Sequence, residues 1–142
     1  MKQLRQLLHH RDVFSVEKTQ TVLEVARTMS HLGVGAILVL DARKLSGLFS
    51  ERDLMRRVIV EGLDPRTTPI SNVMTTDLAT IDETSTTVDA IEMMQENGCR
   101  HLPVMRLGHV VGMISMRDLM SEEIEEKTEE LQHMRHYIHG AA

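Results

Sequence analysis

A chain of 142 residues has the length of one domain, or of two small units sharing a core, since about 60 residues alone bury little surface. With 26% charged and 42% hydrophobic residues it resembles ordinary globular proteins, and no apolar run approaches the roughly 20 residues of a membrane span. Residues 122–130 carry the whole net charge of -5, and only 2% of residues are aromatic, which argues against nonspecific nucleic-acid binding.

The first predicted element is a short amphipathic helix over residues 2–8. Leu4, Leu7 and Leu8 fall on one side of this helix. We expect the helix to form a lid or a dimer contact rather than a part of the core.

Three strands are predicted in the first half of the chain. A brief strand covers residues 13–16, and two further strands cover residues 36–40 and 45–49. The polar residues 41–44 form the turn between the second and third strands.

Two helices complete this first unit. The earlier helix ends at Gly33, which has the chemistry of a C-cap glycine, and Ser50 has that of an N-cap opening the later one. The apolar stripe of the earlier helix consists of Val22, Val25, Ala26 and Met29. The expected buried side of the later helix consists of Leu54, Met55, Val58 and Ile59. The unit therefore reads β-α-β-β-α.

A connector rich in Gly, Pro and Thr separates this unit from a second one. It covers residues 62–75. The predicted boundaries are 9–61 for the first unit, 76–124 for the second and 125–142 for a C-terminal helical extension. Together they form one module over residues 1–142.

The second unit repeats the same order of elements. Strands are predicted over residues 78–81, 101–105 and 110–114, with a turn at 106–108. A helix lies between the first two strands. Its apolar positions are Val88, Ile91 and Met94.

The last helix is much longer than its counterpart in the first unit. It is predicted from Met116 to about Ile138, with its Glu-rich run away from the apolar positions. Those apolar positions have coiled-coil-like spacing and are Ile124, Leu131, Met134 and Ile138. We interpret this helix as a dimerisation element.

Two copies of the motif Gly-apolar-x-Ser-x-x-Asp, at residues 47–53 and 112–118, show that the chain is a tandem repeat. An ungapped offset of 65 residues aligns residues 13–57 with residues 78–122, and 11 of the 45 pairs are identical. Each copy lies at a predicted junction between a strand and a helix.

This doubled motif, together with Arg100-His-Leu-Pro-Val104, resembles the cystathionine beta-synthase (CBS) domain pair, and the resemblance covers about residues 2–139. It implies a mixed α/β (α+β) fold of two β-α-β-β-α repeats related by pseudo-twofold symmetry, followed by a long C-terminal helix. Short stand-alone bacterial CBS-pair proteins share this organisation and carry no catalytic domain. The resemblance also implies two clefts for adenosine-containing ligands, namely AMP, ADP, ATP, S-adenosylmethionine or NAD(H), whose binding regulates another protein.

The motif residues suit that class of ligand. A carboxylate one turn into a helix can accept hydrogen bonds from the two ribose hydroxyls, which is the expected role of Asp53 and Asp118. Free N–H groups at a helix start favour phosphate, and guanidinium groups bind phosphate oxygens in pairs. The phosphate candidates are Ser50, Ser115, Arg52, Arg117 and Arg100.

No aromatic ring is expected beside the base, so aliphatic side chains and main-chain groups would hold it. The resemblance assigns Val16, Gly35, Ala36 and Ile37 to the first cleft, and Thr80, Ile81, His101, Leu102 and Pro103 to the second. The second cleft offers more polar groups and the first more room. We expect the second to bind nucleotide more tightly, with the first weaker, empty or used by the other end of a longer ligand.

Two other interpretations stay open from the sequence. In the first, the Ser of the motif only caps the helix, the Asp strengthens its first turn and the Arg is solvated. The chain would then be a protein-interaction or scaffold module with vestigial clefts. No Ser-His-Asp order or phosphate-cradling Gly-rich loop is present, so neither an enzymatic activity nor a catalytic cofactor is predicted. His133, His136 and His139 lack complementary ligands for a metal.

The expected partners follow from these features. We predict a homodimer that binds an adenine nucleotide and signals to a regulated protein, without contact to nucleic acid or membrane. The N-terminal residues are too few and too polar for a signal peptide, and the single cysteine, Cys99, fits a reducing compartment. A cytoplasmic location is therefore expected.

Overall fold

The computed structural model describes residues 2–9 and 11–140, so the outer limits predicted at residues 1 and 142 lie outside the described residues. The first half of the chain contains α1 (Leu4–Leu8), β1 (Ser15–Glu17), α2 (Val22–Leu32), β2 (Ala36–Asp41), β3 (Lys44–Ser50) and α3 (Glu51–Asp53), which continues as a π-helix over Leu54–Ile59. A 3-10 turn, Ile70–Asn72, follows. The second half contains β4 (Ile81–Asp82), α4 (Thr87–Asn97), β5 (His101–Arg106), β6 (His109–Ser115) and α5 (Met116–Gly140).

Each half forms a three-stranded sheet with the same topology. The strand orders are β1-β2-β3 and β4-β5-β6, and in each sheet the first pair is parallel and the second antiparallel. The register pairs Val16 with Val39 in one sheet and Ile81 with Val104 in the other, which are equivalent positions of the repeat. The mixed α/β fold with two repeated units is thereby confirmed.

The predicted helix end at Gly33 and helix start at Ser50 are confirmed, and Ser50 Oγ accepts a hydrogen bond of 3.2 Å from Asp53 N. Thr21 and Thr86 accept hydrogen bonds from the main chain three residues on and so begin α2 and α4. Gly33 and Gly98 end these helices with φ angles of 69° and 63°, a left-handed conformation that favours glycine.

A small apolar cluster joins the two halves. Buried Ala36, Leu38 and Leu48 of the first sheet pack against Leu78, and the cluster includes Val110 and Met113 from the second sheet. The two units thus share part of a core, as the chain length led us to expect.

The N-terminal helix is part of the second unit's core, so its prediction as a lid or dimer contact was wrong. Leu4 is fully buried among residues of that core, and Leu7 and Leu8 pack against it. The main chain is fixed as well, because Leu4 N donates to Ser85 O at 2.9 Å and Arg5 N donates to Glu83 O at 2.9 Å. One apolar side alone could not identify the distant surface that covers it.

The connector makes the reciprocal contact with the first unit. Ile70, Val73 and Met74 are buried in the first core, and Thr75 pairs with Leu48 through two main-chain hydrogen bonds of 2.9 Å. The segment preceding each repeat therefore packs on the other repeat. The predicted connector at 62–75 is packed structure over its last residues rather than a free linker.

Because these segments pack closely over Gly47 and Gly112, a side chain at either position would meet them, and this gives a stability prediction. A Cβ atom at Gly47 would lie 2.5 Å from Met74 Sδ and 2.9 Å from Thr75 O, whereas one at Gly112 would lie 3.1 Å from Leu8 Cδ1. Gly47→Ala must displace main chain, so we expect it to lower the free energy of unfolding by about 2 kcal/mol. Gly112→Ala meets only a movable side chain and should cost less than about 1 kcal/mol. Urea unfolding of both variants tests this ranking, and equal losses would contradict it.

The end of the first unit departs from the predicted helix. Val58 is buried and Leu54 partly buried as expected, but Met55 and Ile59 are exposed. The segment is a π-helix, in which Val60 N donates to Met55 O five residues earlier. The equivalent Met120 and Ile124 are also exposed in the last helix, so this side is uncovered in both repeats.

The C-terminal helix α5 begins at Met116 as predicted and continues to Gly140. Its predicted apolar positions, Ile124, Leu131, Met134 and Ile138, are all exposed in the single chain. Among the residues described, no helix is both long enough and apolar enough to cross a bilayer.

Candidate functional site

A cavity of about 1130 Å³ lies between the two units, where β2, β5 and α5 begin. The segment 11–14 before β1 and the first turn of α3 complete its wall. Its charged and titratable lining residues are Arg11, Asp12, Glu51, Arg100, His101, Arg117 and Asp118, and Cys99 also reaches it. This volume is slightly above the range of about 300 to 1,000 Å³ for small-molecule sites, so a nucleotide can be accommodated.

Asp118 is held in place by the start of α5. Ser115 N donates to Asp118 Oδ2 at 2.9 Å, and Asp118 N donates to Ser115 Oγ at 3.0 Å. This reciprocal bonding is a capping box, and it fixes the carboxylate at the helix start. The other oxygen, Oδ1, accepts a hydrogen bond of 2.9 Å from Arg11 Nη2.

The electrostatics favour the charged form of Asp118. Partial burial raises the pKa of this carboxyl group, but the hydrogen bonds from Arg11 and Ser115 outweigh burial and hold the pKa below its ordinary value. Asp118 is therefore an acceptor of hydrogen bonds at neutral pH, as ribose recognition requires.

His101 lies near this carboxylate at the beginning of β5. Burial lowers the pKa of His101, and the negative charges of Asp118 and Glu51 offset burial only in part. The imidazole is therefore neutral at physiological pH, and the permanent positive charges of the cavity are those of its three arginines.

The lowered pKa of His101 predicts a pH dependence of stability. The unfolded chain takes up a proton below about pH 6.5 while the folded imidazole resists it, so this stability is present above that pH and is lost as the pH falls. Wild type should lose more free energy of unfolding than His101→Gln between about pH 7.5 and about pH 5.5. Urea titrations at both pH values measure this difference, and equal losses would contradict the assignment.

The first motif is arranged differently. Asp53 is buried and lines neither this cavity nor the second one, of about 670 Å³, beside Arg11. Its Oδ2 accepts hydrogen bonds from Ser50 N at 3.0 Å and Ser50 Oγ at 3.1 Å, and its Oδ1 lies 3.3 Å from Thr75 Oγ1 and 3.5 Å from Arg57 Nε. Asp53 thus serves the protein's own contacts.

The structure brings together part of the predicted site. Seven predicted residues line the cavity, namely Gly35, Ala36, Arg100, His101, Ser115, Arg117 and Asp118. Gly35 and Ala36 were assigned to a separate cleft, and this is corrected, since the starts of β2 and β5 face one shared space.

The other predicted positions lie away from this cavity. Four of them are buried in the two cores, namely Val16, Ile37, Ile81 and Leu102. Ser50, Arg52, Thr80 and Pro103 are likewise outside the cavity lining. Strand alternation turns Ile37 and Leu102 inward while their neighbours Ala36 and His101 reach the cavity.

Several lining residues were missed by sequence reasoning, and four of them are charged or aromatic. Arg11, Asp12 and Phe14 precede β1, and Glu51 opens α3. Phe14 corrects the expectation that no aromatic ring would be available, because it is 40% exposed and lines the cavity. The only sequence signal was the placement of these residues next to predicted element ends.

Cys99 and the histidines give no sign of other chemistry. Burial raises the pKa of the Cys99 thiol, which keeps it protonated and weakly nucleophilic at neutral pH. Within residues 2–9 and 11–140, no group of three His, Cys, Asp or Glu residues is placed to hold a metal ion. The carboxylate of Asp118 and the three guanidinium groups are chemically suited to hydroxyl and phosphate groups.

Comparisons with known proteins agree with this fold. The family model for the CBS domain matches the chain twice, at residues 4–60 and 70–125. The mitochondrial CBS domain-containing protein CBSX3 of Arabidopsis thaliana is 32% identical over 125 residues, which are 84% of this chain and 61% of that protein. The chain therefore spans less than two thirds of this relative's length.

Solved structures show the same similarity. A protein with CBS domains from Burkholderia ambifaria MC40-6 superposes with a TM-score of 0.82 at 29% identity, over 87% of this chain and 95% of that chain. A CBS domain protein from Pyrobaculum aerophilum, solved in complex with AMP, gives a TM-score of 0.75 at 27% identity, over 82% and 89% of the two chains.

Proposed function

Because the chain belongs to the CBS-domain family and carries two copies of that domain, we propose that it is a regulatory module that binds an adenine nucleotide beside Asp118. It catalyses no reaction of its own in this proposal. The observation that supports it most is the carboxylate of Asp118, which is charged, fixed by Ser115 and directed into a cavity large enough for a nucleotide.

Ribose recognition would use the two oxygens of Asp118. Vicinal hydroxyls match a carboxylate well, because both can donate to it at once. Oδ1 already accepts a hydrogen bond from Arg11, so a ribose hydroxyl must displace this guanidinium or share the oxygen with it. Arg11 is then free to move toward the phosphate of the same ligand.

The phosphate would lie at the beginning of α5. This helix has 25 residues, and its first N–H groups and the positive end of its dipole favour an anion. Arg117 on its first turn and Arg100 before β5 supply permanent positive charge.

The base would contact the apolar part of the wall. Ala36 and Leu38 of β2 and Met113 of β6 form aliphatic surface there, and Phe14 adds an aromatic ring. With Asp53 occupied by Ser50, Thr75 and Arg57, we expect one nucleotide for each chain.

A thermal-shift panel with AMP, ATP, NAD⁺ and S-adenosylmethionine tests the proposal. A ligand at 100 times its dissociation constant stabilises the folded protein by about 2.7 kcal/mol, which shifts the melting temperature by several degrees. A shift with at least one of these compounds is expected. No shift with any of them would favour the scaffold alternative, in which the exposed α5 docks another protein.

We further propose that the module is a homodimer formed through its exposed apolar helix face. Met55 and Ile59 on the π-helix and Met120 and Ile124 on α5 are exposed at equivalent positions of the repeat. Leu131, Met134 and Ile138 extend this face beyond the domain. A second copy would cover apolar surface that is exposed in the single chain. Ligand binding would act as a switch if it changed the angle between units or subunits.

Leu131→Glu should therefore produce a monomer at concentrations where the wild type is a dimer. The charge would be buried in the middle of the apolar face without a partner. His136→Glu, an exposed position on another side of α5, is the matched control and should remain dimeric. Sedimentation velocity measures all three proteins, and a monomeric wild type or a dimeric Leu131→Glu would refute this interface.

A further inference from the structure

The charges that line the cavity balance one another. Three guanidinium groups, those of Arg11, Arg100 and Arg117, face three carboxylates, those of Asp12, Glu51 and Asp118. His101 adds no charge at neutral pH, because burial lowers its pKa. The cavity can therefore pair a small anion with its arginines, but it has no excess positive charge for a highly charged anion.

Glu51 is the carboxylate that α3 contributes to the cavity. It is the first residue of α3, and its main-chain N donates to Gly35 O at 3.0 Å. Its side chain lies over Gly35, where a Cβ atom would be 3.4 Å from Oε2. Its negative charge partly offsets the lowering of the His101 pKa by burial, and both residues line the cavity.

The side chain of Glu51 is available to act on a ligand. Over the part of the chain that the structure describes, no hydrogen bond or ion pair neutralises its carboxylate. The fold does not demand an acid there, since the equivalent residue of the second repeat is Met116. The first repeat thus carries a negative charge at a helix start where the second repeat carries an apolar side chain.

From these observations we propose that Glu51 makes the cavity selective for a nucleoside monophosphate over its di- and triphosphate. The inference rests on the proposed nucleotide site beside Asp118. With the ribose at Asp118, the first phosphate would use the three guanidinium groups of the cavity, and each further phosphate would add negative charge to a space that also holds the carboxylate of Glu51. Repulsion between like charges in a partly desolvated cavity then raises the dissociation constant with each added phosphate.

A structural role is the competing explanation for Glu51. An acid in the first turn also stabilises a helix through its dipole, and Glu51→Gln would remove that effect. The readout must therefore be the ratio of affinities for AMP and ATP, which a change in helix stability alone would not move.

The experiment is calorimetric titration of AMP, ADP and ATP, without divalent cation, into wild type, Glu51→Gln and Glu61→Gln. Glu61 is exposed just beyond the π-helix, outside the cavity lining, and is the control for loss of one charge. Wild type should bind AMP about tenfold more tightly than ATP. Glu51→Gln should reduce this ratio about fivefold by binding ATP more tightly, and Glu61→Gln should leave the ratio unchanged.

The outcomes separate the two proposals. Binding of all three nucleotides with a ratio that Glu51→Gln does not change would overturn the selectivity inference and leave the nucleotide site intact. ATP binding as tight as AMP binding in the wild type would also overturn it. Absence of binding by any of the three would overturn the nucleotide site itself.

Discussion

Replacing Asp118 by asparagine is expected to weaken AMP binding roughly 30-fold. The amide keeps the size of the side chain but loses the negative charge and one of two acceptor oxygens. Hydrogen bonds to a charged acceptor contribute about 1.5 to 3 kcal/mol each, and loss of the Arg11 pair in the free protein offsets part of the change. A net loss of about 2 kcal/mol corresponds to that factor.

Asp53→Asn is the matched control, because the same chemical change is made in the equivalent residue. Asp53 is buried and bonded to Ser50, Thr75 and Arg57, so its replacement should lower the free energy of unfolding by about 1 to 3 kcal/mol. AMP affinity should stay within about twofold of wild type. Calorimetry on both variants measures the difference. A larger loss of affinity from Asp53→Asn would move the site to the first motif.

Leu4→Ala should be among the most destabilising substitutions in the chain, with a loss of about 3 kcal/mol. Leu4 is fully buried in the second core although it lies only three residues from the start of the chain. Removing three buried carbon atoms costs the transfer free energy and leaves a cavity, which together amount to about 2 to 5 kcal/mol for Leu→Ala. The main-chain hydrogen bonds to Ser85 and Glu83 prevent the helix from simply moving inward.

Leu107→Ala provides the comparison for this prediction. Leu107 lies in the turn between β5 and β6 with 87% of its surface exposed, so the same truncation there should change stability by less than about 0.5 kcal/mol. Urea unfolding followed by circular dichroism measures both. If Leu4→Ala were as mild as Leu107→Ala, α1 would be a loosely attached lid after all.

The repeated architecture could be predicted from the sequence because its signals are local. The C-cap glycine Gly33 and the apolar runs of strand length each act within a few residues. The capping role of Ser50 and Ser115 followed from the same kind of signal. A fixed offset between two copies then gave the order of elements twice.

The features that could not be predicted depend on contacts between distant residues. The sequence around Leu4 does not show that this side chain packs in the second core. The sequence around Met74 does not show that its side chain packs over Gly47. The π-helix is equally hidden, since its apolar residues suit a normal helix with a different buried face. Sequence patterns describe faces of elements, whereas tertiary packing decides which face is covered.

The candidate site depends both on local sequence signals and on contacts between distant residues. The motif identified Ser115 and Asp118 because a hydroxyl and a carboxylate three residues apart at a helix start form a local unit. Arg11, whose guanidinium meets Asp118, is 107 residues away in sequence and carries no motif. The difference between Asp53 and Asp118 also depends on distant partners, since Thr75 bonds to Asp53 whereas Asp118 lines the cavity.

A crystal structure of the protein with AMP tests the central claim most directly. We predict that both ribose hydroxyls donate to Asp118 and that the guanidinium of Arg11 leaves Oδ1, while the phosphate lies at the first turn of α5 near Arg117. AMP bound beside Asp53, or a structure in which Arg11 and Asp118 stay paired while the cavity remains empty at saturating AMP, would contradict it.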